Sequence, residues 1–374
     1  MTTTRALVGD RVRIPFRRPF ATATGMWVER DAWIIRLFDG DRRVGLGEAV
    51  LATEPGDVAD TILTALIREA AETATTTGLP SMTELEQHGA PGRALHAAIE
   101  SAVADLDGSV APDLAPGGDG MGVNATLPSL GPEALAEAAR QSVESGFETL
   151  KVKAGAERET DVFVERIRAI RAAVGPEVRL RIDVNGAWDL ATAEERLEAI
   201  ARFEIEFVEQ PLAAHDLDGL AELRRRVRVP IAADEAAESL AAVRTLLAID
   251  AIDVLVVKPA RVGGPSVVAE IAGLAAARGV PVVLSTLFET GIGIAAALAL
   301  AATLPEVEGP GWAFAPDHGL ATAGLLEHDL LTESLVVAEG RMRVPATPGS
   351  GGLGITLDER ALERFRVERI GSAP

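Results

Sequence analysis

The feature that most constrains this chain is a regular alternation of short apolar segments and amphipathic helical segments over residues 121–330. The strand-like segments, in order, are MGVNA, TLKVK, VRLRIDV, IEFVE, VPIAAD, AIDVLVVK, VPVVLST and GWAFA. The helical stretches that follow them are 132–146, 159–174, 191–203, 216–227, 237–248, 265–278, 290–304 and 321–330. Eight such units predict a parallel sheet wound into a (β/α)8-type barrel. A doubly wound open sheet is the alternative, but the glycine-rich phosphate loop typical after its first strand is absent.

The regions on either side of this repeat have a different pattern of predicted strands and helices. Residues 1–50 contain three strand-like runs with an FDGDRR turn, and helical periodicity follows at 57–75 and 91–107. The Pro- and Gly-rich segment 110–120 is typical of a linker. We therefore predict three parts: an N-terminal α+β capping domain at 1–115, the barrel with the active site at 116–330, and a C-terminal segment at 331–374 that packs back on the cap.

Composition excludes several classes of function. The formal net charge of −20 argues against nucleic-acid binding, which needs a basic surface. The absence of cysteine excludes disulfides and thiolate metal sites. The N-terminus has no apolar signal segment, and the longest apolar stretch, near residues 292–304, is too short to span a bilayer. We expect a cytoplasmic protein that acts on a small molecule.

Lysine is unusually scarce. Of the 36 basic residues only Lys151, Lys153 and Lys258 are lysine, and all the others are arginine. Arginine can replace lysine as a surface cation, but it stays protonated and cannot accept a proton. Lysines that remain under such a bias are therefore candidates for chemistry.

Polar residues recur where successive predicted strands end. They are Lys151 and Lys153 in unit two, Asp183 and Asn185 in unit three, Glu209 in unit four, Asp234 and Glu235 in unit five, and Lys258 in unit six. The spacing between units corresponds to one strand and one helix. The side chains should therefore meet at the C-terminal mouth of the barrel, where barrel active sites are built.

Three carboxylates at one mouth would repel each other strongly without a cation. Oxygen ligands with no His or Cys nearby favour Mg²⁺ first and Mn²⁺ second. Lysines that flank such a metal would have their pKa lowered, and Lys151, on the same strand face as Lys153, would contribute to that shift. A structural metal-binding barrel is the non-enzymatic alternative, but such a site has no use for flanking amines.

The segments TLKVKAG, RIDVNGAWD, EFVEQPL, IAADEA, VLVVKPARVGG and STLFETGIG resemble, in this order, the muconate-lactonizing branch of the enolase superfamily. The resemblance extends to the cap, where GLGE is similar to the family's GWGE. It implies a cap that closes over the barrel and helps to choose the substrate. It also implies that Asp183, Glu209 and Asp234 bind magnesium, that Lys153 is the base with Lys151 tuning it, and that Lys258 stands on the opposite face of the substrate. A homo-oligomer is expected.

Within this branch, VNATLP and HGLATAGLLEHDL resemble segments of the o-succinylbenzoate synthases of menaquinone biosynthesis. This resemblance implies that Lys153 removes a proton alpha to a carboxylate and that the adjacent hydroxyl leaves as water in a syn-dehydration. Lys258 would stabilise the enediolate. The residues expected to contact substrate are Asn124, Asn185, Ser285, Thr286, Thr22 and Met26, the last two in a lid loop of the cap. Glu235 and Glu289 are expected to support the site, and Trp27 is the best tryptophan candidate for a substrate wall.

Other activities of the branch remain open at this point. An N-succinylamino-acid racemase would use Lys153 and Lys258 as opposed bases, and STLFETGIG resembles the racemase and lactonizing pattern. A muconate-type cycloisomerase is also compatible with these residues. A dipeptide epimerase is disfavoured, because AFAPDHG lacks the Asp-x-Asp pair that those enzymes use.

Overall fold

The computed structural model describes residues 6–22, 25–40, 43–52, 56–108, 120–127, 130–307, 316–343 and 352–373, with the backbone alone at 20–22 and 25. No helix within these ranges is both long and apolar enough to cross a membrane.

The N-terminal region is an antiparallel sheet covered by helices. Its elements are β1 (Ala6–Thr22), β2 (Gly25–Phe38), β3 (Val44–Ala49), α1 (Val58–Thr73), α2 (Met82–Glu86) and α3 (Ala90–Asp107). The strands pair in the order β1-β2-β3. The three predicted strands and both predicted helices are therefore confirmed.

Helix α3 lies directly on β3 because β3 presents glycines to it. A Cβ atom at Gly47 would lie 1.9 Å from the carbonyl oxygen of Ala98, so no larger residue fits there. Because strand side chains alternate between the two faces of a sheet, the next residue, Glu48, points away from α3. The GLGE segment thus brings a carboxylate to the barrel-facing side of the cap.

The central region consists of parallel strands separated by helices. After β4 (Met121–Gly122) the elements are β5 (Ala125–Leu127), α4 (Pro132–Glu144), β6 (Thr149–Lys153), α5 (Thr160–Val174), β7 (Arg179–Asp183), α6 (Leu190–Ile200), β8 (Ile205–Glu209), α7 (Leu217–Arg226), β9 (Ile231–Ala233), α8 (Leu240–Ala248), β10 (Val254–Val257), α9 (Pro259–Val262), α10 (Pro265–Ala276), β11 (Val282–Leu284) and α11 (Gly291–Ala301). Strands β5 to β11 form one parallel sheet in chain order. Leu, Ile and Val side chains fill the layer between this sheet and its helices.

The sheet curls, and the eighth position is taken by residues 318–319. His318 forms a parallel bridge with Val123, and Gly319 forms one with Ser285. These bridges join the first and last strands of the sheet, as in a barrel. The predicted eighth strand, GWAFA at 311–315, lies outside the described residues.

The helix predicted at 321–330 is wrong, because only a short 3-10 turn (Ala323–Leu325) is present there. Gly324 weakens helix formation in this segment. Leu326 pairs with Phe16 of the cap, and Leu326 and Leu330 are buried in the cluster between cap and barrel. Tertiary packing therefore overrides the local periodicity.

The C-terminal residues contact both the barrel region and the cap: Arg341 and Met342 pair antiparallel with β4, and the last strand returns to the cap. Their elements are β12 (Val337–Ala338), β13 (Arg341–Met342), α12 (Glu359–Phe365) and β14 (Arg366–Ile370). Strand β14 pairs antiparallel with β1, and the buried Asp10 carboxylate accepts a hydrogen bond from Arg369 Nε at 2.6 Å. The limits proposed for the three parts, 1–115, 116–330 and 331–374, stay predictions, and most of the proposed linker lies outside the described residues.

Candidate active site

A cavity of about 180 Å³ opens where the carboxyl ends of the parallel strands meet. Predicted site residues that line it are Asn124, Lys151, Lys153, Asp183, Asn185, Asp234, Glu235, Lys258, Ser285 and Thr286. The strand register explains this gathering. Lys153 is paired with Asp183, and Asp183 with Glu209, on neighbouring strands.

The two lysines of β6 both point into the cavity because they are two residues apart on one strand. Lys151 Nζ lies 2.7 Å from Asp183 Oδ2 and donates to Glu209 Oε1 at 2.7 Å. Lys153 Nζ donates to the same Asp183 oxygen at 2.7 Å and to Asn185 Oδ1 at 2.9 Å. The Lys153 side chain is 21% exposed against 11% for Lys151, so Lys153 is the more accessible amine.

Lys258 follows β10 on the other side of the cavity and donates to both carboxylate oxygens of Asp234. Arg261, one helical turn later in α9, donates to Asp234 Oδ1 at 2.7 Å and to its carbonyl oxygen at 3.1 Å. Two cations therefore hold Asp234.

Asn185 connects the end of β7 with the end of β9. Its backbone has a φ of 49°, a left-handed conformation that Asn tolerates better than most residues. Its Nδ2 donates to Glu235 Oε1 at 3.0 Å, while its Oδ1 accepts from Lys153. Asn124 also lines the cavity, and its Oδ1 accepts from Arg181 Nη1 at 3.1 Å. Both amides thus have protein partners in addition to their place on the cavity wall.

The pKa values of two acids of the site, Glu209 and Asp183, are shifted in opposite directions. Burial raises the pKa of Glu209 to about 8, and the Asp183 and Asp234 carboxylates add to this effect. Burial also disfavours the charged form of Asp183, but Lys151 and Lys153 outweigh it and hold the pKa of Asp183 below its usual range. Among these neighbouring carboxyl groups, Glu209 is therefore the one on which ionisation is least favourable.

The lysines also differ. Burial, together with Arg261, lowers the pKa of Lys258. Burial acts in the same direction on Lys151, but the surrounding carboxylates, Asp183 first, outweigh it and raise the pKa of Lys151. Burial and neighbouring charges therefore shift the pKa values of Lys258 and Lys151 in opposite directions.

Three buried carboxylates from successive strands form a donor set that suits a hard divalent cation. Asp183, Glu209 and Asp234 are at most 2% exposed. Within the described ranges no three acidic or histidine side chains enclose an ion-sized site as they stand, and the Lys151 and Lys258 ammonium groups lie against these oxygens instead. Because the pKa of Glu209 is raised, a cation bound beside it would stabilise its ionised form. The donor set fits Mg²⁺, and its assignment as the ligand set stays a prediction.

Some predicted residues lie away from the cavity. Met26 is 60% exposed and is not part of the cavity lining. The side chain of Thr22 and residues 23–24 of the predicted lid lie outside the described residues. Glu289 is buried behind the wall, where its carboxylate accepts from the Leu287 N–H.

Sequence reasoning did not single out several residues that line the cavity. Those with a polar or aromatic side chain are Thr126, Arg261, Phe288 and Thr322. Arg261 is three residues after Lys258 in VVKPARVGG, so a short helix starting at Pro259 would have placed it beside the site. Thr322 comes from the segment predicted as a helix, and its Oγ1 lies 2.9 Å from Thr286 Oγ1. Trp27, the predicted wall, does line the cavity.

Comparison with known proteins gives four findings. The family model described as "Enolase C-terminal domain-like" matches residues 134–361. An o-succinylbenzoate synthase of Thermobifida fusca (strain YX) is 45% identical over 62% of this chain and 68% of its own length. An N-succinylamino acid racemase of an Amycolatopsis species is 31% identical over 91% of this chain and 92% of its own length. The crystal structure of muconate lactonizing enzyme from Pseudomonas fluorescens complexed with muconolactone superimposes with a TM-score of 0.83, at 26% identity, over 98% of this chain and 100% of that one.

Proposed function

Because the chain belongs to the enolase superfamily, in its muconate-lactonizing branch, we propose that it is a carbon–oxygen lyase that forms o-succinylbenzoate by syn-dehydration. The product would enter menaquinone biosynthesis. The T. fusca synthase is 45% identical, which supports this choice of substrate.

The observation that carries the proposal is a pair of lysines on two sides of one cavity. Lys153 ends β6 and Lys258 follows β10, and these strands are separated by β7, β8 and β9 in the sheet. In an eight-membered barrel such strands lie opposite each other. A planar carboxylate substrate between them would have one amine on each face.

In the proposed reaction, Lys153 as a free amine takes the proton from the carbon alpha to the carboxylate. The electron pair of that C–H bond passes into the carboxylate, and the Lys258 ammonium stabilises the added negative charge from the other face. The neighbouring C–O bond then breaks. Lys153 returns its proton to the departing hydroxyl, which leaves as water.

Mg²⁺ bound by Asp183, Glu209 and Asp234 would supply positive charge next to the substrate carboxylate. Asn185 would keep Lys153 oriented, since its Oδ1 accepts from the Lys153 Nζ at 2.9 Å and its Nδ2 is held by Glu235. Arg261 would hold Asp234 when Lys258 turns toward the substrate, because it donates to Asp234 Oδ1 at 2.7 Å.

A racemase of N-succinylamino acids is the second candidate function. The same opposed amines can remove a proton from one face and return one to the other, and the Amycolatopsis racemase matches 91% of this chain. A muconate-type cycloisomerase is supported by the fold and by the STLFETGIG segment. A homo-oligomeric state and a cytoplasmic location remain predictions.

The test is an assay of the purified full-length chain with the synthase substrate and Mg²⁺, beside N-succinyl amino acids in D₂O. Formation of o-succinylbenzoate that stops with EDTA and returns with added Mg²⁺ is expected. Deuterium exchange at the amino-acid α-carbon without any dehydration would replace the lyase by the racemase. Neither reaction, from folded protein loaded with Mg²⁺, would contradict both.

A further inference from the structure

Glu48 of the cap strand β3 reaches across to the barrel and binds the start of helix α11. The residue is 5% exposed. Its carboxylate accepts the Thr290 N–H at 3.0 Å, the Thr290 hydroxyl at 2.7 Å and the Gly293 N–H at 3.0 Å. A carboxylate from one domain thus binds backbone donors in the first turn of a helix in the other.

The segment just before this helix turn is a wall of the cavity. We call residues 285–290 the β11–α11 loop, and Ser285, Thr286, Leu287 and Phe288 in it line the cavity. Phe288 has a φ of 63°, which is costly for an aromatic residue and is kept only when surrounding contacts impose it. Its ring centroid lies 6.4 Å from that of Trp27, a cap residue on the same cavity.

The barrel side is shaped to admit the carboxylate. A Cβ atom at Gly293 would lie 2.6 Å from Glu289 Cβ and 3.1 Å from Glu48 Oε2. Only glycine at this position therefore leaves room for the carboxylate and the loop together.

Burial of the Glu48 carboxylate at this position is energetically unfavourable. Burial raises the pKa of Glu48 to about 7, and the nearby Glu289 carboxylate adds to the shift. Arg30, which is 1% exposed, offsets part of the negative charge of Glu48 and Glu289. Its guanidinium donates to the Leu51 carbonyl at 2.9 Å and lies 5.2 Å from the centroid of the Trp27 ring. An apolar contact would join cap and barrel at lower cost, so a stabilising role alone does not account for this carboxylate.

We propose that Glu48 is a positioning residue, which holds the first turn of α11 from the cap and so keeps the β11–α11 loop in place as a cavity wall. The cap would then set the geometry of that wall directly, in addition to covering the cavity. The kinetic consequence of this inference rests on the proposed function, and its structural consequence does not.

Glu100 provides a matched control. It is another cap carboxylate that accepts a backbone N–H at the start of a barrel helix, from Ser266 of α10 at 3.1 Å. Loss of Glu100 weakens docking of the cap without touching the β11–α11 loop. Comparison of the two sites therefore separates docking in general from positioning of this loop.

The experiment measures hydrogen exchange at the Thr290 and Gly293 amides, and kcat and KM, in the full chain and its variants. In Glu48→Ala we expect exchange of these amides about tenfold faster and kcat about 10- to 100-fold lower, since a misplacement near 1 Å can cost about 10² in rate. Glu48→Gln should recover most of both, because its amide oxygen can accept the same N–H groups. Glu100→Ala should leave exchange of these two amides within about twofold of wild type, because Glu100 contacts the start of α10 and not the β11–α11 loop.

Unchanged exchange at Thr290 and Gly293 in Glu48→Ala would overturn the proposal. Equally fast exchange of these two amides in Glu100→Ala would overturn it as well. A lower unfolding free energy with unchanged kcat would also overturn it, because that is the result of a purely structural role. If Glu48→Ala does not fold, Gly293→Ala is the second variant, because its added methyl group disturbs the contact between Glu48 and the start of α11 from the barrel side. Amide exchange and kcat of this variant then decide the question. If wild type turns over none of the substrates, the proposed function fails, while amide exchange still decides the role of Glu48.

Discussion

The two walls of the cavity are built in different ways. The base wall, formed by the ends of β6 to β8, holds Lys151 and Lys153 through side chains of the barrel itself. The cap-held wall, formed by the loops after β10 and β11, is bound through its own backbone groups by side chains of the cap. Arg93 Nε of α3 donates to the Arg261 carbonyl at 2.9 Å, and His96 Nδ1 lies 2.6 Å from the Gly263 carbonyl oxygen.

This difference matches the two tasks that we propose for the walls. A base that accepts a proton and returns it must release one hydrogen-bond partner for another, so side-chain contacts with solvent access suit Lys153. A group that stabilises developing charge acts best when it is fixed before the reaction. Lys258 is 8% exposed and belongs to the wall that the cap holds.

The largest effect is expected for Lys153→Ala. Loss of the base should lower kcat by about 10³- to 10⁴-fold, the upper range for general acid–base catalysis. The protein should still fold and bind Mg²⁺, which thermal unfolding and calorimetric titration would check. Lys153→Arg should be as inactive, because arginine keeps the charge but cannot accept the proton. Substantial turnover by either variant would remove Lys153 from the role of base.

A smaller effect that separates the two reactions is expected at Lys258. In the dehydration Lys258 serves through its charge, so Lys258→Ala should lower kcat by about 10²-fold and Lys258→Arg by much less. In a racemase it must accept a proton, so Lys258→Arg should abolish α-deuterium exchange from that face. Equal loss of dehydration in the Ala and Arg variants would show that Lys258 is not an electrostatic group.

A change in binding alone is expected for Trp27→Ala. Trp27 lines the cavity from the cap, so its loss should remove apolar contact that substrate and transition state share. We expect KM to rise about tenfold, equivalent to about 1.4 kcal/mol, with kcat within about threefold of wild type. A comparable fall in kcat would show that Trp27 contributes to the chemical step and not to binding alone.

A further effect, on stability and not on turnover, is a pH dependence that originates at Glu48. Its pKa is about 7 in the folded protein and near 4.5 when unfolded, so between these values the folded state binds more protons. This contribution is fully present below pH about 4.5, is lost as pH rises to about 7, and amounts to about 3 kcal/mol at most. Denaturant unfolding of Glu48→Gln should show less decline across this range than wild type. Parallel curves for the two proteins would contradict the shifted pKa.

Much of the site could be predicted from the sequence because the end of each strand can be recognised from a few neighbouring residues. The i, i+2 spacing of Lys151 and Lys153 places both on one strand face, and the repeat length brings Asp183, Asp234 and Lys258 to the same mouth. The approach of Arg261 to the site depends on the four-residue helix that starts at Pro259, which is too short to show helical periodicity in the sequence.

The sequence by itself determined the alternation of strands and helices, the face on which each lysine lies and the mouth at which the acids gather, because these depend on backbone periodicity. Only the tertiary structure decided that residues 321–330 do not form a helix and that His318 and Gly319 join the ends of the sheet. It also decided the contact of Glu48 with Thr290, 242 residues away. Such contacts depend on how the cap and the barrel pack, and side-chain burial and close backbone approach at that interface outweigh the local preferences of either segment.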